Sequence, residues 1–296
     1  MARFGRVLTA MVTPFAPDES LDVDASVALA KWLVEQGNEG LVVAGTTGES
    51  STLSIDEKLT LFEAIAQAVT IPVIAGTTGS NTRQDIGLTV EAEKLGVAGI
   101  LAVCPYYNRP SQSGLDAHFR AIASSTDLPV LLYDIPKRTG RKIDTATLIS
   151  LGNEVTNIVG VKDAAGDAGQ TAIVIEETPE HFEVYSGDDP MTLPLLAVGA
   201  VGAIGVATHW CGPDHVQMFD SWNAGDATAA RAHNARQFES YRFETSDEVP
   251  NPLPAKAMLR TLGHAVGQAR LPMGPAPADL DNQARGVYER LVASRG

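Results

Sequence analysis

Cysteine and basic residues are scarce in this chain. Its 296 residues include only Cys104 and Cys211, too few for a disulfide framework and without the CxxC spacing of zinc or redox sites. It has 22 Lys and Arg residues against 36 Asp and Glu residues, so the formal net charge is −14. Because binding a phosphate backbone needs clustered positive charge, this composition argues against a nucleic-acid partner.

Long hydrophobic runs are also missing. The longest apolar stretch, residues 195–207, contains three glycines and falls short of the ~20 residues of a membrane span. The apolar run at residues 7–12 is too short for the core of a secretory signal. Together with the scarcity of cysteine, these features predict a cytoplasmic protein with no membrane partner. The 44% of hydrophobic residues supports a large core and excludes a mostly disordered chain.

Short, nearly all-apolar runs alternate with segments of helical periodicity. Such runs are typical of parallel strands that helices cover on both faces. Eight units of this kind predict a (β/α)₈ barrel over residues 1–222, with its site at the carboxyl ends of the strands. An open, doubly wound sheet is the alternative, but no GxGxxG follows the first strand. The predicted strands are Val7–Val12, Leu41–Ala44, Val73–Ala75, Ile100–Val103, Val130–Tyr133, Ile158–Lys162, Glu183–Tyr185 and Ala203–Val206.

The last quarter of the sequence differs in character. Residues 223–296 are rich in Ala, Arg and Glu, contain no strand candidate, and have three prolines between helical stretches at positions 250–254. We therefore predict a C-terminal helical region appended to the barrel.

Lys162 is the most informative residue. Alternation along its strand places Ile158 and Lys162 on one face. Val159 and Val161 lie on the other and suit the helix-covered outside, so Lys162 is predicted to point into the barrel mouth. Lowering an amine pKa from ~10.4 to ~7 by burial costs about 4–5 kcal/mol, which is easiest to explain if a neutral amine must attack a ketone. The alternative is a lysine paired with Asp163 or extended to the rim.

Three further groups lie at predicted strand ends. An inward Tyr133 can relay protons, or it is a core aromatic residue with its hydroxyl tied to the backbone. Thr46 and Thr47, between two glycines, offer donors for a carboxylate, or form an ordinary turn that caps the next helix. Arg138 can clamp a carboxylate, although exposed loop arginines are usually only solvated.

Acidic residues near strand ends leave a metal site as an alternative. Asp134, Asp163, Asp188, Asp189 and His209 all lie there. Alternation turns the first two outward, however, and the histidines show no paired ligand spacing. We therefore expect no metal.

Motifs at the successive strand ends occur in a familiar order and spacing. They are GTTGES (45–50), PYYNRP (105–110), YDIPKRTG (133–140), VKD (161–163) and SGDD (186–189), followed by PNPLPAK (250–256). Over essentially the whole chain, this set resembles the dihydrodipicolinate synthase family, a branch of the pyruvate-dependent class I aldolase superfamily.

The resemblance implies a catalytic role for several residues. Lys162 would form a Schiff base with pyruvate, and Tyr133 would relay protons together with Thr46. Tyr107 would reach in from a neighbouring subunit of a homotetramer, arranged as a dimer of dimers. Because the imine nitrogen is itself an electron sink, no cofactor is expected. The substrate-binding residues would be Thr47 for the pyruvate carboxylate, Arg138 for the carboxylate of L-aspartate 4-semialdehyde, and Gly187 and Ile204 through backbone groups.

The resemblance also leaves alternatives within and outside the superfamily. The sialic-acid lyase branch lacks an Arg-Thr-Gly after the tyrosine and usually has Ser-Thr where this chain has Thr46-Thr47, so both features favour the synthase of lysine biosynthesis. An N-acetylneuraminate or 2-keto-3-deoxy-sugar-acid lyase remains the alternative of the same class. A non-catalytic barrel that binds a keto acid is the alternative of a different class.

A possible effector site departs from the family pattern. Lysine-inhibited members often carry histidines in the helix after the Thr-Thr turn, where this chain has Ile55 and Lys58. A cationic Lys58 should disfavour a cationic ligand, so we expect weak or absent inhibition by lysine. The candidate effector residues are Ser50, Ile55, Lys58, Asn81, Asp85 and Tyr106.

Overall fold

The computed structural model describes residues 2–295 and shows a closed barrel of eight parallel strands. Each strand pairs with the next along the chain, and the last pairs with the first. The predicted fold class is therefore confirmed, and the strand bounds differ from the predicted ones by one or two residues. The strands are β1 (Val7–Ala10), β2 (Gly40–Val43), β3 (Val73–Gly76), β4 (Gly99–Val103), β5 (Val130–Asp134), β6 (Ile158–Asp163), β7 (Glu183–Ser186) and β8 (Gly202–Gly205).

Helices alternate with the strands and then continue alone after β8. Several begin at a capping side chain; Ser54 and Glu57 form a reciprocal capping box at the start of α2. Among residues 2–295, no helix has the length and apolar character needed to cross a lipid bilayer. The helices are α1 (Val23–Glu35), α2 (Ile55–Ala68), α3 (Thr82–Glu93), α4 (Gln112–Ala123), α5 (Pro136–Thr139), α6 (Thr145–Glu154), α7 (Ala168–Glu177), α8 (Thr192–Ala197), α9 (Thr208–Asn223), α10 (Ala227–Arg236), α11 (Phe238–Phe243), α12 (Leu253–Thr261) and α13 (Leu280–Ala293).

The C-terminal helical region consists of α10 to α13. The predicted division between residues 222 and 223 lies at the end of α9. Helix α10 packs on α9, and α12 packs on both α13 and α9. The separation of the chain into two domains at this point stays a prediction.

The β6 strand contains one more residue than its neighbour β5. Ile158 and Gly160 pair with consecutive β5 residues, which leaves Val159 outside that register. This bulge reverses the sides of the first two residues, so Val159 packs inside the barrel and Ile158 packs under the helices. The predicted sides of these two residues were wrong. Alternation is regular from Gly160 onward, so Val161 faces out and Lys162 faces in.

Gly160 also allows β6 and β7 to lie close together. A Cβ atom at this position would overlap the carbonyl oxygen of Glu183, which pairs with Gly160 in β7. The obstacle is backbone rather than a movable side chain. The glycine is therefore required by strand packing two residues before Lys162.

We expect Gly160→Ala to lower the free energy of unfolding by about 1–3 kcal/mol or more, because the methyl group must push two paired strands apart. Chemical denaturation followed by circular dichroism would measure this change. Gly87→Ala is the matched control: Gly87 lies within α3 with open space around its Cβ position, so this variant should gain about 0.5–1 kcal/mol from helix propensity. Equal stabilities for the two variants would contradict the role assigned to Gly160.

Candidate functional site

A cavity of about 480 Å³ opens at the carboxyl ends of the strands. We call it the main cavity. Its walls come from segments that follow β2, β5, β6, β7 and β8, and from residues 244–251 between α11 and α12. Of the predicted catalytic and substrate-binding residues, it brings together Lys162, Tyr133, Thr46, Thr47, Arg138 and Gly187.

The Lys162 side chain is buried in the wall of the main cavity. It is 4% exposed, and its Nζ lies 4.4 Å from the centroid of the Tyr133 ring. Gly187 packs directly on its stem, since a Cβ there would lie 2.9 Å from Lys162 Cγ. Burial lowers the pKa of Lys162 to about 8, with Arg138 acting in the same direction and Asp189 opposing it. A useful fraction of the amine is therefore neutral near physiological pH.

Tyr133 ends the inward face of β5 next to Lys162, with which it pairs in register. Burial raises the pKa of the Tyr133 hydroxyl, while the positive charge of Arg138 and a hydrogen bond with Thr46 act against this rise. The hydroxyl is therefore protonated at neutral pH and can both donate and accept a hydrogen bond. The Lys162 amine lies over the face of the Tyr133 ring.

The turn after β2 carries Thr46 and Thr47 in an unusual backbone conformation. Ala44 and Glu49, which flank it, have positive φ angles of 53° and 57°. Such left-handed residues without glycine cost free energy and persist only where the surroundings hold them. Thr47 is buried, and its Oγ1 accepts a hydrogen bond of 2.8 Å from Asn251 Nδ2.

A buried ion pair holds this turn against the C-terminal helical region. Lys256 Nζ lies 2.6 Å from Glu49 Oε1, and both side chains are 1% exposed. The same ammonium donates to the carbonyl oxygen of Gln268 at 2.9 Å, while Glu49 Oε2 accepts the backbone N–H of Arg270 at 2.9 Å. The conformation of the threonine turn therefore depends on residues more than 200 positions away.

Arg138 lies on the short helix α5, directly after β5. Its side chain is exposed and lines the main cavity, where Nη2 donates to the carbonyl oxygen of Asn251 at 3.2 Å. Only one N–H group of the guanidinium makes this hydrogen bond to Asn251. The rest of the guanidinium remains available to an anion entering from solvent.

A smaller side cavity of about 190 Å³ adjoins the main cavity and shares Thr46, Tyr133 and Arg138 with it. Of the candidate effector residues, Ser50 and Tyr106 line it. The others lie elsewhere: Ile55 is 50% exposed, and Asn81 caps α3 by accepting the backbone N–H of Gln84.

Asp85 and Lys58 influence each other near Tyr106. Burial raises the pKa of Asp85 to about 6, and the positive charge of Lys58 opposes the rise. Burial also lowers the pKa of Lys58, which the charge of Asp85 counteracts. The charge of the chain's own Lys58 thus partly balances that of Asp85.

Two predicted site residues lie away from the main cavity. Tyr107 is 95% exposed with a positive φ angle of 71°. Ile204 is fully buried among the side chains inside the barrel, and Val206, two residues later, lines the cavity instead. Within one chain, neither residue lines the main cavity.

The two strand-end aspartates of the metal alternative are engaged by backbone and side chains outside the barrel. Asp134 Oδ1 accepts the N–H of Ile143 at 3.1 Å. Asp163 accepts the N–H of Ala165 at 2.9 Å and the hydroxyl of Thr171 at 2.5 Å. Both therefore organise the loops around the cavity rather than pointing into it.

Sequence reasoning did not find the role of Asn251 or the burial of Glu244. Glu244 is 4% exposed and lines the main cavity, although the four residues after it are polar. Asp189 was considered only as a metal ligand, yet it is 1% exposed and accepts the N–H of Val206 at 2.7 Å. Nothing in the local pattern marks these carboxyl groups as buried, because the elements that bury them are distant in sequence.

The sequence profile of the dihydrodipicolinate synthetase family matches residues 3–290. A relative from Moorella thermoacetica, named 4-hydroxy-tetrahydrodipicolinate synthase, is 49% identical over 275 residues, which cover 92% of each chain. A dihydrodipicolinate synthase structure from Cyanidioschyzon merolae with lysine bound is 40% identical, with a TM-score of 0.95 and coverage of 99% of both chains.

A second solved structure is also similar to this chain over almost its full length. The chloride-inhibited dihydrodipicolinate synthase from Acinetobacter baumannii, complexed with pyruvate, is 34% identical, with a TM-score of 0.92. The similarity covers 98% of this chain and 99% of that one. The family profile matches nearly every residue, and these relatives are similar over almost the whole chain. This chain therefore belongs to the dihydrodipicolinate synthetase family.

Proposed function

We propose that this chain is a 4-hydroxy-tetrahydrodipicolinate synthase that condenses pyruvate with L-aspartate 4-semialdehyde through a Schiff base on Lys162. The observation that carries the proposal is a buried amine with a pKa of about 8, which lies over a tyrosine ring in a cavity at the carboxyl ends of the barrel strands. The pyruvate complex of the relative from Acinetobacter baumannii supports the first substrate.

The reaction begins when the neutral Lys162 amine adds to the ketone carbon of pyruvate. The carbinolamine loses its hydroxyl group as water, which leaves a protonated imine that withdraws electrons from the adjacent methyl group. Loss of a methyl proton gives the enamine, whose carbon attacks the aldehyde of the second substrate. The amine of that substrate then attacks the imine carbon, closes the ring and releases Lys162.

Tyr133 and the threonine turn handle protons and the pyruvate carboxylate in this proposal. The Tyr133 hydroxyl is protonated at neutral pH, and in this proposal it supplies the proton that makes the carbinolamine hydroxyl a leaving group. Thr46 is hydrogen-bonded to this tyrosine, and Thr47, held by Asn251, would bind the carboxylate. Gly187 provides the space above the lysine stem that the imine needs.

Assembly completes the site in this proposal. The exposed Tyr107 would insert into the site of a neighbouring subunit and join the Tyr133–Thr46 pair, with Ile204 contributing from the barrel wall through its backbone. The assembly is proposed to be a homotetramer, a dimer of dimers, acting in the cytoplasm in lysine and diaminopimelate biosynthesis.

Incubation with pyruvate and borohydride, followed by peptide mass mapping, tests the Schiff base. We expect a reduced pyruvyl adduct on Lys162, because the imine nitrogen is fixed irreversibly once reduced. Lys162→Met should give no adduct, whereas Lys142→Met, which changes a lysine outside the main cavity, should be labelled normally. Absence of the adduct at saturating pyruvate would favour a barrel that binds keto acids without reacting with them.

The pH dependence of the first half-reaction follows from the lowered pKa of Lys162. Only the neutral amine attacks, so kcat/KM for pyruvate should rise with pH and level off above about pH 8, falling about tenfold per pH unit below it. Steady-state kinetics across a range of pH, with the second substrate saturating, would measure this acid limb of the kcat/KM profile. Burial also lowers the pKa of Lys256 to about 8, so Lys256→Arg is the control and should leave the limb in place. A limb near pH 10 would contradict the assignment.

Arg138→Ala should abolish turnover while leaving the pyruvyl adduct largely intact, because the guanidinium is assigned to the carboxylate of the second substrate. Removal of a charged hydrogen bond of this kind costs about 2–5 kcal/mol, equivalent to a loss of roughly 30-fold or more. Trapping and turnover would be measured on the same preparation, with Arg231→Ala, a change on exposed α10, as the control. Turnover with sugar-aldehyde acceptors instead of aspartate semialdehyde would favour a sister aldolase.

We expect weak or absent inhibition by lysine, although lysine is bound in the relative from Cyanidioschyzon merolae. The positive charge of Lys58 already acts on the Asp85 carboxylate, so a second cation would meet like-charge repulsion. Initial rates across a lysine titration would measure this, and Lys58→Ala should increase any inhibition that is present. A clear inhibition curve at sub-millimolar lysine for the unaltered enzyme would refute the expectation.

A further inference from the structure

Asn251 is a buried asparagine in the wall of the main cavity, where it is 5% exposed. Its backbone N–H donates to Thr245 Oγ1 at 3.3 Å, and its carbonyl oxygen accepts from Arg138 Nη2 at 3.2 Å. Its side-chain Nδ2 donates to Thr47 Oγ1 at 2.8 Å. The residue therefore connects the segments that follow β2 and β5 with the loop that follows α11.

The loop that carries Asn251 is closed on itself by hydrogen bonds. The N–H of Ser246 donates to the carbonyl oxygen of Val249 at 3.1 Å, and the N–H of Val249 donates to Ser246 Oγ at 2.9 Å. Together with the bond from Asn251 to Thr245, these contacts brace residues 245–251. None of them uses the side chain of Asn251, so a substitution there tests the amide and leaves the bonds that hold the loop in place.

The side-chain amide of Asn251 is oriented by its nitrogen. Its Oδ1 is buried and has no hydrogen-bond partner within the described residues 2–295. A buried polar atom without a partner is uncommon in native proteins. The bond from Nδ2 to Thr47 is therefore the interaction that fixes the direction of the amide.

This bond determines what the Thr47 hydroxyl can offer to a ligand. A hydroxyl group has one proton to donate and two lone pairs with which to accept. Because Thr47 Oγ1 accepts from Asn251, the proton of the hydroxyl is not used in this bond. It is available to an acceptor in the main cavity, which Thr47 also lines. Since an ionised carboxylate can only accept hydrogen bonds, this orientation suits a carboxylate ligand.

We propose that Asn251 is the positioning residue that makes Thr47 a hydrogen-bond donor to the carboxylate of pyruvate, and that it thereby selects a carboxylate over an amide of the same shape. The inference rests on the proposed function, because it concerns the pyruvate site of that reaction. An acceptor at position 251 would reverse the arrangement. The Thr47 proton would turn to that acceptor, and a lone pair of Thr47 would face the ligand.

Asn251→Asp tests the direction of the bond, because an oxygen replaces the donating nitrogen with almost no change in shape. Isothermal titration calorimetry should show pyruvate binding weakened about tenfold or more, whereas binding of pyruvamide, which has N–H donors in place of one carboxylate oxygen, should weaken less than about threefold. The defect should appear in KM for pyruvate, with kcat at saturating pyruvate changed less than about threefold. Equal affinity for pyruvate in the variant and the unaltered enzyme would show that the amide oxygen faces Thr47, and the inference would be wrong.

A double-mutant cycle separates the action through Thr47 from direct repulsion by the new carboxylate. Thr47→Val removes the hydroxyl, so adding Asn251→Asp to it should weaken pyruvate binding by less than about threefold, since no proton is left to redirect. A further loss of about tenfold in that background would mean that the negative charge repels pyruvate directly, and it would overturn the inference.

Asn223→Asp is the matched control. It makes the same change at an exposed residue that ends α9 and lies outside the main cavity, so the affinities for both ligands should stay as in the unaltered enzyme. An equal loss in this control and in Asn251→Asp would trace the effect to net charge and contradict the role of Asn251.

Calorimetry needs no turnover, so the two proposals fail separately. If pyruvate binds to the unaltered enzyme but gives no borohydride adduct, the proposed function fails, and the affinities of the variants still decide the role of Asn251. If the adduct forms and Asn251→Asp binds pyruvate normally, only the role of Asn251 fails.

Discussion

The burial of the Lys162 ammonium is the constraint around which the site is organised. A fall in pKa from 10.5 to about 8 corresponds to about 3 kcal/mol at 1.36 kcal/mol per unit, taken from a total stability of only ~5–15 kcal/mol. The barrel provides the low-dielectric environment that causes this shift, and the missing side chain of Gly187 leaves the room that the lysine stem occupies. The charge of Asp189 opposes the shift.

Much of the fold and the central residue were predictable because they depend on local pattern. Eight apolar runs at regular spacing are enough to indicate a barrel, and alternation within β6 correctly places Lys162 inside. The same rule failed for Ile158 and Val159, because a bulge is defined by pairing with β5 and leaves no trace in the sequence of β6 itself. The residues at the strand ends, such as Lys162 and Tyr133, could be found from the sequence. The distant residues that hold the site in place could not.

The unpredicted part of the site has a common physical cause. Glu244, Asn251 and Lys256 come from a polar, proline-containing stretch that resembles a surface loop, and their burial arises only when that stretch packs over the barrel mouth. Asn251 bonds to Thr47 across a separation of 204 residues. Long-range packing of this kind leaves no periodic signal in the sequence. A single sequence therefore indicates the reactive groups at the strand ends, but not the distant residues that hold them in place.

The ion pair between Glu49 and Lys256 has a consequence for how the protein is made. All eight strands have been synthesised once Gly205 is added, yet the left-handed turn that carries the two threonines is held by Lys256, and the carboxylate of Glu49 by the backbone of Arg270. Because domains form as the chain emerges from the ribosome, a nascent barrel without its last helices lacks the clamp on this turn. The pocket is therefore completed only near the end of translation, when almost the entire polypeptide exists.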